Sequence, residues 1–428
     1  MKKSGILVGA LVALIVVSAA WAETITSGEQ VSLKMWNTAE ALANPITEAY
    51  LADFQKKYPN VKVEFSVFPW TELRTKLLAA FAAGQGPDQY QFDSPWLLEF
   101  EAAGLLDKAP ASVVKDLNDN FLPIAKSLVS TDKAIYGYPW WCFVDMLWKN
   151  VELFTKAGVD PTKPIKTWSE MLEVAKKLVV KDASGKTVQA GLGFESRLLF
   201  FTDFLYNNNT AVVGEDSAGI PKKPIKSTLG SREAGEAFKW VYDAYNIHHV
   251  ADSAVGWFGE AFVQGKIAMA FGANWMYGWF KDVNPKGEVI IEPLPTSKGQ
   301  NPQHRCDGWI QVVNAKSPAK TKEYAWKFLQ EYVSKSGIDM AEKAFAIPVR
   351  KDVFNDPRFK KLDPIWQKYA SVLKDNKISR IKPVVEGWDE MNVGIDPLLT
   401  QMYGGQIDWK TAQKQADDIV TQVLSEKY

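Results

Sequence analysis

The chain has 428 residues, in which 50 Lys and Arg balance 50 Asp and Glu, with three histidines besides. At about 100–200 residues per domain, that length suggests two or three domains. Its charge is dispersed with no basic block, which argues against a nucleic-acid partner. A hydrophobic fraction of 46% is enough for a sizeable core.

Lys2 and Lys3 precede an apolar run from Ile6 to Val17, and Ala20-Trp21-Ala22 stands before Glu23. This is the pattern of a cleavable secretory signal peptide over residues 1–22. The run falls short of the ~20 apolar residues that a membrane span needs. With no cysteine at the cleavage site, the expectation is a freely diffusing periplasmic protein. Losing the leader removes two lysines and leaves the mature chain slightly acidic.

Val31, Leu33 and Met35 alternate with polar residues and predict a strand ending in Trp36-Asn37. A helix is predicted from Pro45 to Tyr58, stopped by Pro59-Asn60. Val61, Val63, Phe65 and Val67 predict a second strand that runs out at Phe68-Pro69-Trp70, and Thr71 to Ala83 a second helix. Gln89 to Phe92 is the third strand and stops at Asp93. Such a β-α-β-α-β order belongs to a doubly wound sheet. Ligands of these sheets bind beyond the carboxyl ends of the strands, where Trp36, Asn37, Trp70 and Asp93 fall. Farther on, Thr167-Trp168-Ser169-Glu170 is a capping box that opens a helix. Helices are also predicted over Ser231 to Tyr245 and Thr321 to Val333.

Seventeen tryptophans is a high count for this length. Indole faces suit the C–H patches of sugar rings, and charged side chains suit their hydroxyls. Catalytic signatures are absent: there is no Gly-rich phosphate loop, H-E-x-x-H, C-x-x-C or G-x-S-x-G. The adjacent His248 and His249 lack the spacing of a metal-chelating pair, and neither a metal nor a cofactor is expected.

From Tyr136-Gly137-Tyr138-Pro139 the chain runs through Trp140-Trp141-Cys142-Phe143 to Leu147-Trp148-Lys149-Asn150. Leu153-Phe154, Lys156-Ala157-Gly158, Asp160, Pro164 and the capping box follow in order. This series resembles the extracellular solute-binding proteins of ABC sugar importers, the maltose-binding-protein type, with Trp-Lys-Asn at 148–150 in place of the family's Tyr-Asn-Lys. The resemblance extends through Phe262, Gly265-Lys266 and Ala268-Met269 to Trp275, then Asp307-Gly308-Trp309 and Ala346-Ile347-Pro348-Val349-Arg350, and so spans most of 31–428. It implies an α/β, two-lobed periplasmic-binding-protein fold (type II), each lobe a mixed sheet flanked by helices. The N-terminal lobe would hold 23–140 and 311–345, and the C-terminal lobe 143–305 and 351–428. Hinge crossings are expected near 139–145, 306–311 and 345–350.

The implied function is that of the periplasmic substrate-binding component of an ABC transporter. It would take up a mono- or oligosaccharide between the lobes, act as a monomer, and deliver the ligand to the membrane permease without catalysis. Cleft candidates are Trp36, Trp70, Trp141, Trp257, Trp275, Trp309 and Trp388, with Trp168 and Trp326 assigned to the core. Asp93, Asp145 and Asp307 are expected as hydroxyl acceptors, then Asn37 and Glu386. Arg305 and Arg350, beside crossings, would serve hydroxyls or an anionic group. By the same resemblance Cys142 and Cys306 flank the hinge, either as a disulfide or as two buried thiols. A secreted glycosidase and a binding protein for glycerol phosphate or polyamine are the alternatives.

Overall fold

The computed structural model describes residues 29–215, 221, 223–375 and 377–428. The leader, 1–22, lies outside them. No helix among the described residues is long and apolar enough to cross a membrane. The strands in chain order are β1 (Val31–Thr38), β2 (Val61–Phe68), β3 (Gln89–Asp93), β4 (Gly137–Val144), β5 (Met146–Asn150) and β6 (Val180–Lys181). They continue with β7 (Thr187–Gly193), β8 (Ile267–Gly272), β9 (Val289–Glu292), β10 (His304–Val313) and β11 (Ser379–Arg380).

The first sheet runs β2-β1-β3-β10, with β4 on β10. β1 is parallel to β2 and β3, whereas β10 is antiparallel to β3 and β4. Val31, Leu33 and Met35 point into the core while Ser32 and Lys34 stay exposed, as the alternation required. Helices Ala43–Lys57 and Trp70–Ala82 make the two returns. The second sheet runs β6-β7-β8-β5-β9 and has its own apolar core. The Thr167–Glu170 capping box is present and opens helix Trp168–Leu178. Trp168 and Trp326 are buried, as expected of core residues. Helix Ala319–Lys343 runs well past the expected end at Val333, because Ser336, Ile338, Met340 and Ala341 continue its buried stripe.

Three extended segments join the sheets side by side. β4 leaves the first sheet, passes through Asp145, and continues as β5 of the second. β10 pairs with β11 at His304 and Arg305 and enters the first sheet by Trp309. The stretch around Ile347 bridges to Cys142 on β4. The Trp-Lys-Asn departure at 148–150 is absorbed locally. Lys149, fully buried, meets Glu292 at 2.9 Å, and Asn150 caps helix Val151–Lys156 through the Leu153 amide.

Cys142 and Cys306 are buried free thiols, so the bridged alternative is not what the structure holds. Register gives the reason. Cys142 opposes Gly308 and Cys306 opposes Val144, which makes the cysteines diagonal neighbours. Diagonal positions lie about 7–8 Å apart, beyond the usual Cα separation of a disulfide.

Gly308 is required by the close approach of the two crossings. A Cβ there would lie 2.5 Å from the Trp141 carbonyl oxygen. Gly308→Ala is expected to push β4 and β10 apart and to lower the unfolding free energy by about 1–3 kcal/mol. Urea unfolding measures this, and a variant as stable as the parent would refute the constraint.

Candidate functional site

Side chains of a strand alternate between its faces. The β4–β10 register pairs Trp141 with Trp309 and Phe143 with Asp307, and the Asp145 amide donates to the Arg305 carbonyl. All six residues therefore share one phase and one face. A shift in register between Trp309 and Ile310 takes up one extra residue of β4, Trp140. Bulges of this kind re-aim side chains beside functional sites.

That face is the floor of a cleft of about 560 Å³. The first sheet contributes Glu40, Trp70, Thr71 and Asp93; the other wall carries Arg197, Phe200, Trp257, Trp275, Trp279 and Lys382. Trp257 and Trp275 stack with centroids 5.8 Å apart and planes inclined by 13°. Trp279, one helical turn beyond Trp275, meets it edge-on at 5.3 Å. Gly259 makes room for both, since a Cβ there would lie 2.8 Å from the Trp257 ring and 3.2 Å from Trp275. Trp70, Trp257 and Trp279 are 42%, 40% and 47% exposed, large apolar faces left open in the cleft. Asn274 ties this wall to the crossing segments: its Oδ1 accepts from the Val144 amide at 3.2 Å and its Nδ2 donates to the Phe345 carbonyl at 2.8 Å.

The cations of the cleft are each paired with carboxylates, whereas Glu40 has no cation partner among the described residues. Lys382 Nζ lies 2.7 Å from Asp93 and 2.6 Å from Asp307. Arg305 pairs with Asp145 and lies 3.3 Å from Asp307. Its guanidinium also sits 5.0 Å from the centre of the Phe200 ring. Arg197 pairs with Glu195. Burial pushes the Asp93 carboxyl up to about 7, with Lys382 opposing and Asp307 adding to the rise. Burial also raises Glu40, against a hydrogen bond from Thr38. Burial disfavours the charge on Lys382, but Asp307 and Asp93 outweigh it and hold the ammonium protonated. Among the described residues no group of His, Cys, Asp and Glu is placed to hold a metal ion.

The family model of bacterial extracellular solute-binding proteins matches residues 36–338. The chain belongs to this family. It is 26% identical to the sn-glycerol-3-phosphate-binding periplasmic protein of Brucella melitensis over 416 residues, covering 90% of each chain. It is 21% identical to the maltotriose-binding protein of Pyrococcus abyssi over 375 residues, covering 85% of this chain and 77% of that one. The ABC substrate-binding protein of Listeria monocytogenes in complex with cycloalternan superposes with a TM-score of 0.79 at 18% identity, over 93% of this chain and all of that one. The two-lobed fold is thus shared with the family.

In this solute-binding protein eight of the fourteen expected site residues line the cleft: Trp70, Asp93, Trp141, Trp257, Trp275, Arg305, Asp307 and Trp309. The other six lie elsewhere. Asp145 is buried behind Arg305. Asn37 is buried and accepts from Gln311, and Trp36 packs on Phe68. Arg350 is bound to Asp116 and Asp352. The Glu386 amide donates to the Tyr428 hydroxyl, and Trp388 is buried in the second core. The strand-end reasoning placed Trp70 and Asp93 in the cleft but not Trp36 and Asn37, because β1 runs past Trp36 to Thr38, which carries that indole off the rim. Sequence reasoning passed over Glu40, Arg197, Phe200, Trp279 and Lys382. Only Trp279 had a signal, four residues after Trp275 and therefore on the same helical face.

Arg74 of helix Trp70–Ala82 reaches Glu99 at 2.7 Å and Asp389, which opens helix Trp388–Tyr403, at 2.8 Å. This pair spans the two lobes beside the cleft and is partly exposed, so it is worth at most ~1 kcal/mol. Arg74→Gln and Asp389→Asn are each expected to weaken ligand binding by no more than about fivefold, and the double variant no more than either single one. Calorimetric titration tests this; additive losses would mean that the two residues act independently.

Proposed function

We propose that this protein is the periplasmic receptor of an ABC importer. In this reading it binds an uncharged carbohydrate in the cleft between its lobes and delivers it to the membrane permease. The observation that carries the reading is the combination of open indole faces with cations already neutralised by carboxylates. Trp70, Trp257, Trp275 and Trp279 offer the flat apolar area that sugar rings stack on. Arg305, Lys382 and Arg197 each have carboxylate partners, so a ligand phosphate would have to break an existing pair to gain one. That weighs against a glycerol-phosphate ligand, although several relatives are named for it. A polyamine would likewise compete with Lys382 for Asp93 and Asp307.

A glycosidase needs two carboxyl groups free to act on opposite sides of a glycosidic bond. Asp93 and Asp307 instead share one lysine ammonium, which favours a receptor over an enzyme. The membership in an extracellular family and the expected leader support a periplasmic location. We assign the first sheet with its helices to the N-terminal lobe and the second to the C-terminal lobe, with β4–β5, β10 and the Ile347 stretch as the hinge. Monomeric action fits a receptor that must open and close. Ligand favours the closed form through contacts made only there.

A thermal-shift and calorimetric screen of the mature chain tests the proposal, with maltose, maltotriose, mannotriose, tagatose, glycerol 3-phosphate and spermidine as the panel. A neutral sugar at 100 times its dissociation constant is expected to stabilise by ~2.7 kcal/mol, without product formation over hours. Trp275→Ala should weaken that binding by about 30-fold, the ~2 kcal/mol of a central aromatic anchor. A response to glycerol 3-phosphate or spermidine alone would overturn the uncharged-ligand reading.

A further inference from the structure

Four buried carboxyl groups meet two buried cations between the lobes: Asp93, Asp145, Asp203 and Asp307 against Arg305 and Lys382. Three of the acids have a cation at ion-pair distance. Asp203 does not among the described residues, and no part of its side chain is exposed to solvent. It lies on helix Leu198–Tyr206, three residues after Phe200, so it shares a helical face with the ring that carries Arg305. An ionised, unpaired carboxylate in such a place would cost several kcal/mol. We infer that Asp203 is a positioning residue of the cleft, which donates a hydrogen bond to Asp145 and so holds the Arg305 guanidinium against Phe200 at the cleft floor.

Both Asp203 oxygens are buried without a hydrogen-bond partner among the described residues. The neutral form of a carboxyl has one O–H to donate, which in this inference is directed to the Asp145 carboxylate. Asp145 in turn ion-pairs with Arg305. Burial, and then the charge on Asp145, push the Asp203 carboxyl well above the usual range, with Arg305 opposing. The charged and titratable groups facing this chain are Asp145 and the neighbouring Tyr369, Arg305, Asp307 and His304 of β10, and Tyr206 on the same helix. Helix Leu198–Tyr206 thus grips Arg305 from two directions, by a ring face and through a carboxyl pair.

The sign of the pH effect follows. An acid whose folded pKa lies above its unfolded value of about 3.9 contributes stability at low pH that is lost as pH rises past that value. Asparagine at 203 keeps a donor for Asp145 and never ionises. The melting temperature of Asp203→Asn, measured without ligand and taken relative to the parent, is therefore expected to climb between about pH 4 and 8. A relative melting temperature that falls over this range would overturn the inference, because it would mean that Asp203 is ionised and stabilising.

The role in positioning Arg305 rests on the carbohydrate reading above and has its own readout, the affinity for the tightest-binding sugar of the panel. Asp203→Ala should weaken it by about tenfold or more, as expected for losing a hydrogen bond to a charged group, and Asp203→Asn should restore most of the loss. A folded Asp203→Ala protein that binds like the parent, or an Asn variant as weak as the Ala variant, would overturn it. If no neutral sugar shifts the parent, the carbohydrate reading fails, and the ligand-free pH profile still decides the protonation of Asp203.

Discussion

Everything at the cleft depends on the antiparallel pairing of β4 with β10. These strands cross between the two sheets, so their register fixes both the crossing and the floor of the cleft. Because side chains alternate, one register sets 141 and 143 and 305, 307 and 309 on the cleft face, with Asp145 in the same phase but buried behind Arg305. Cys142, Cys306 and Gly308 fall on the other. A slip of one residue would exchange the two sets. The close contact at Gly308 and the shift in register beside Trp309 hold the pairing in place. The crossing and the cleft floor are therefore one piece of structure.

Carboxylates and cations packed into that surface need one another. Buried ions are tolerated only when paired and hydrogen-bonded, and the chain Asp93–Lys382–Asp307–Arg305–Asp145–Asp203 supplies this across both lobes. The chain has more acids than cations, so protonation completes it. Burial raises the carboxyls of Asp93 and Asp203 above their usual range, so these are the acids on which a proton costs least. Recognition is left to the indoles and to the polar atoms on the rim of the network.

The first lobe was legible in the sequence because its strands alternate and its helices have clear stops. Val31 to Asp93 needed only period-two and period-3.6 patterns. The second lobe was placed by its likeness to a family, carried by the series from Tyr136 to Glu170. Cleft residues were less legible, and the errors have a common cause. Trp36 and Trp388 are of the same type as Trp70 and Trp275, but one packs on Phe68 and the other lies in the second core, a distinction made by tertiary packing alone. Lys382 could not be found from its neighbours in sequence, since it functions only through Asp93 and Asp307, more than seventy residues away in the chain. Asn274 is the tie between the Trp275 wall and two of the three crossings.

The same packing bears on how such a receptor opens. A lobe–lobe contact that was too favourable would close the cleft without ligand, and ligand can shift the equilibrium only by its differential affinity for the two states. Of the bridges found here, Arg74–Asp389 is partly exposed, and its Arg74 end keeps Glu99 when the lobes part. Lys382 is buried, but Asp307 stays beside it if Asp93 withdraws. Each cation that spans the lobes thus has a second acid, and opening leaves no orphaned positive charge. This lowers the cost of separation that a buried, one-to-one pair would impose. Closure is then left to be decided by the stacking of a ligand between the indole walls.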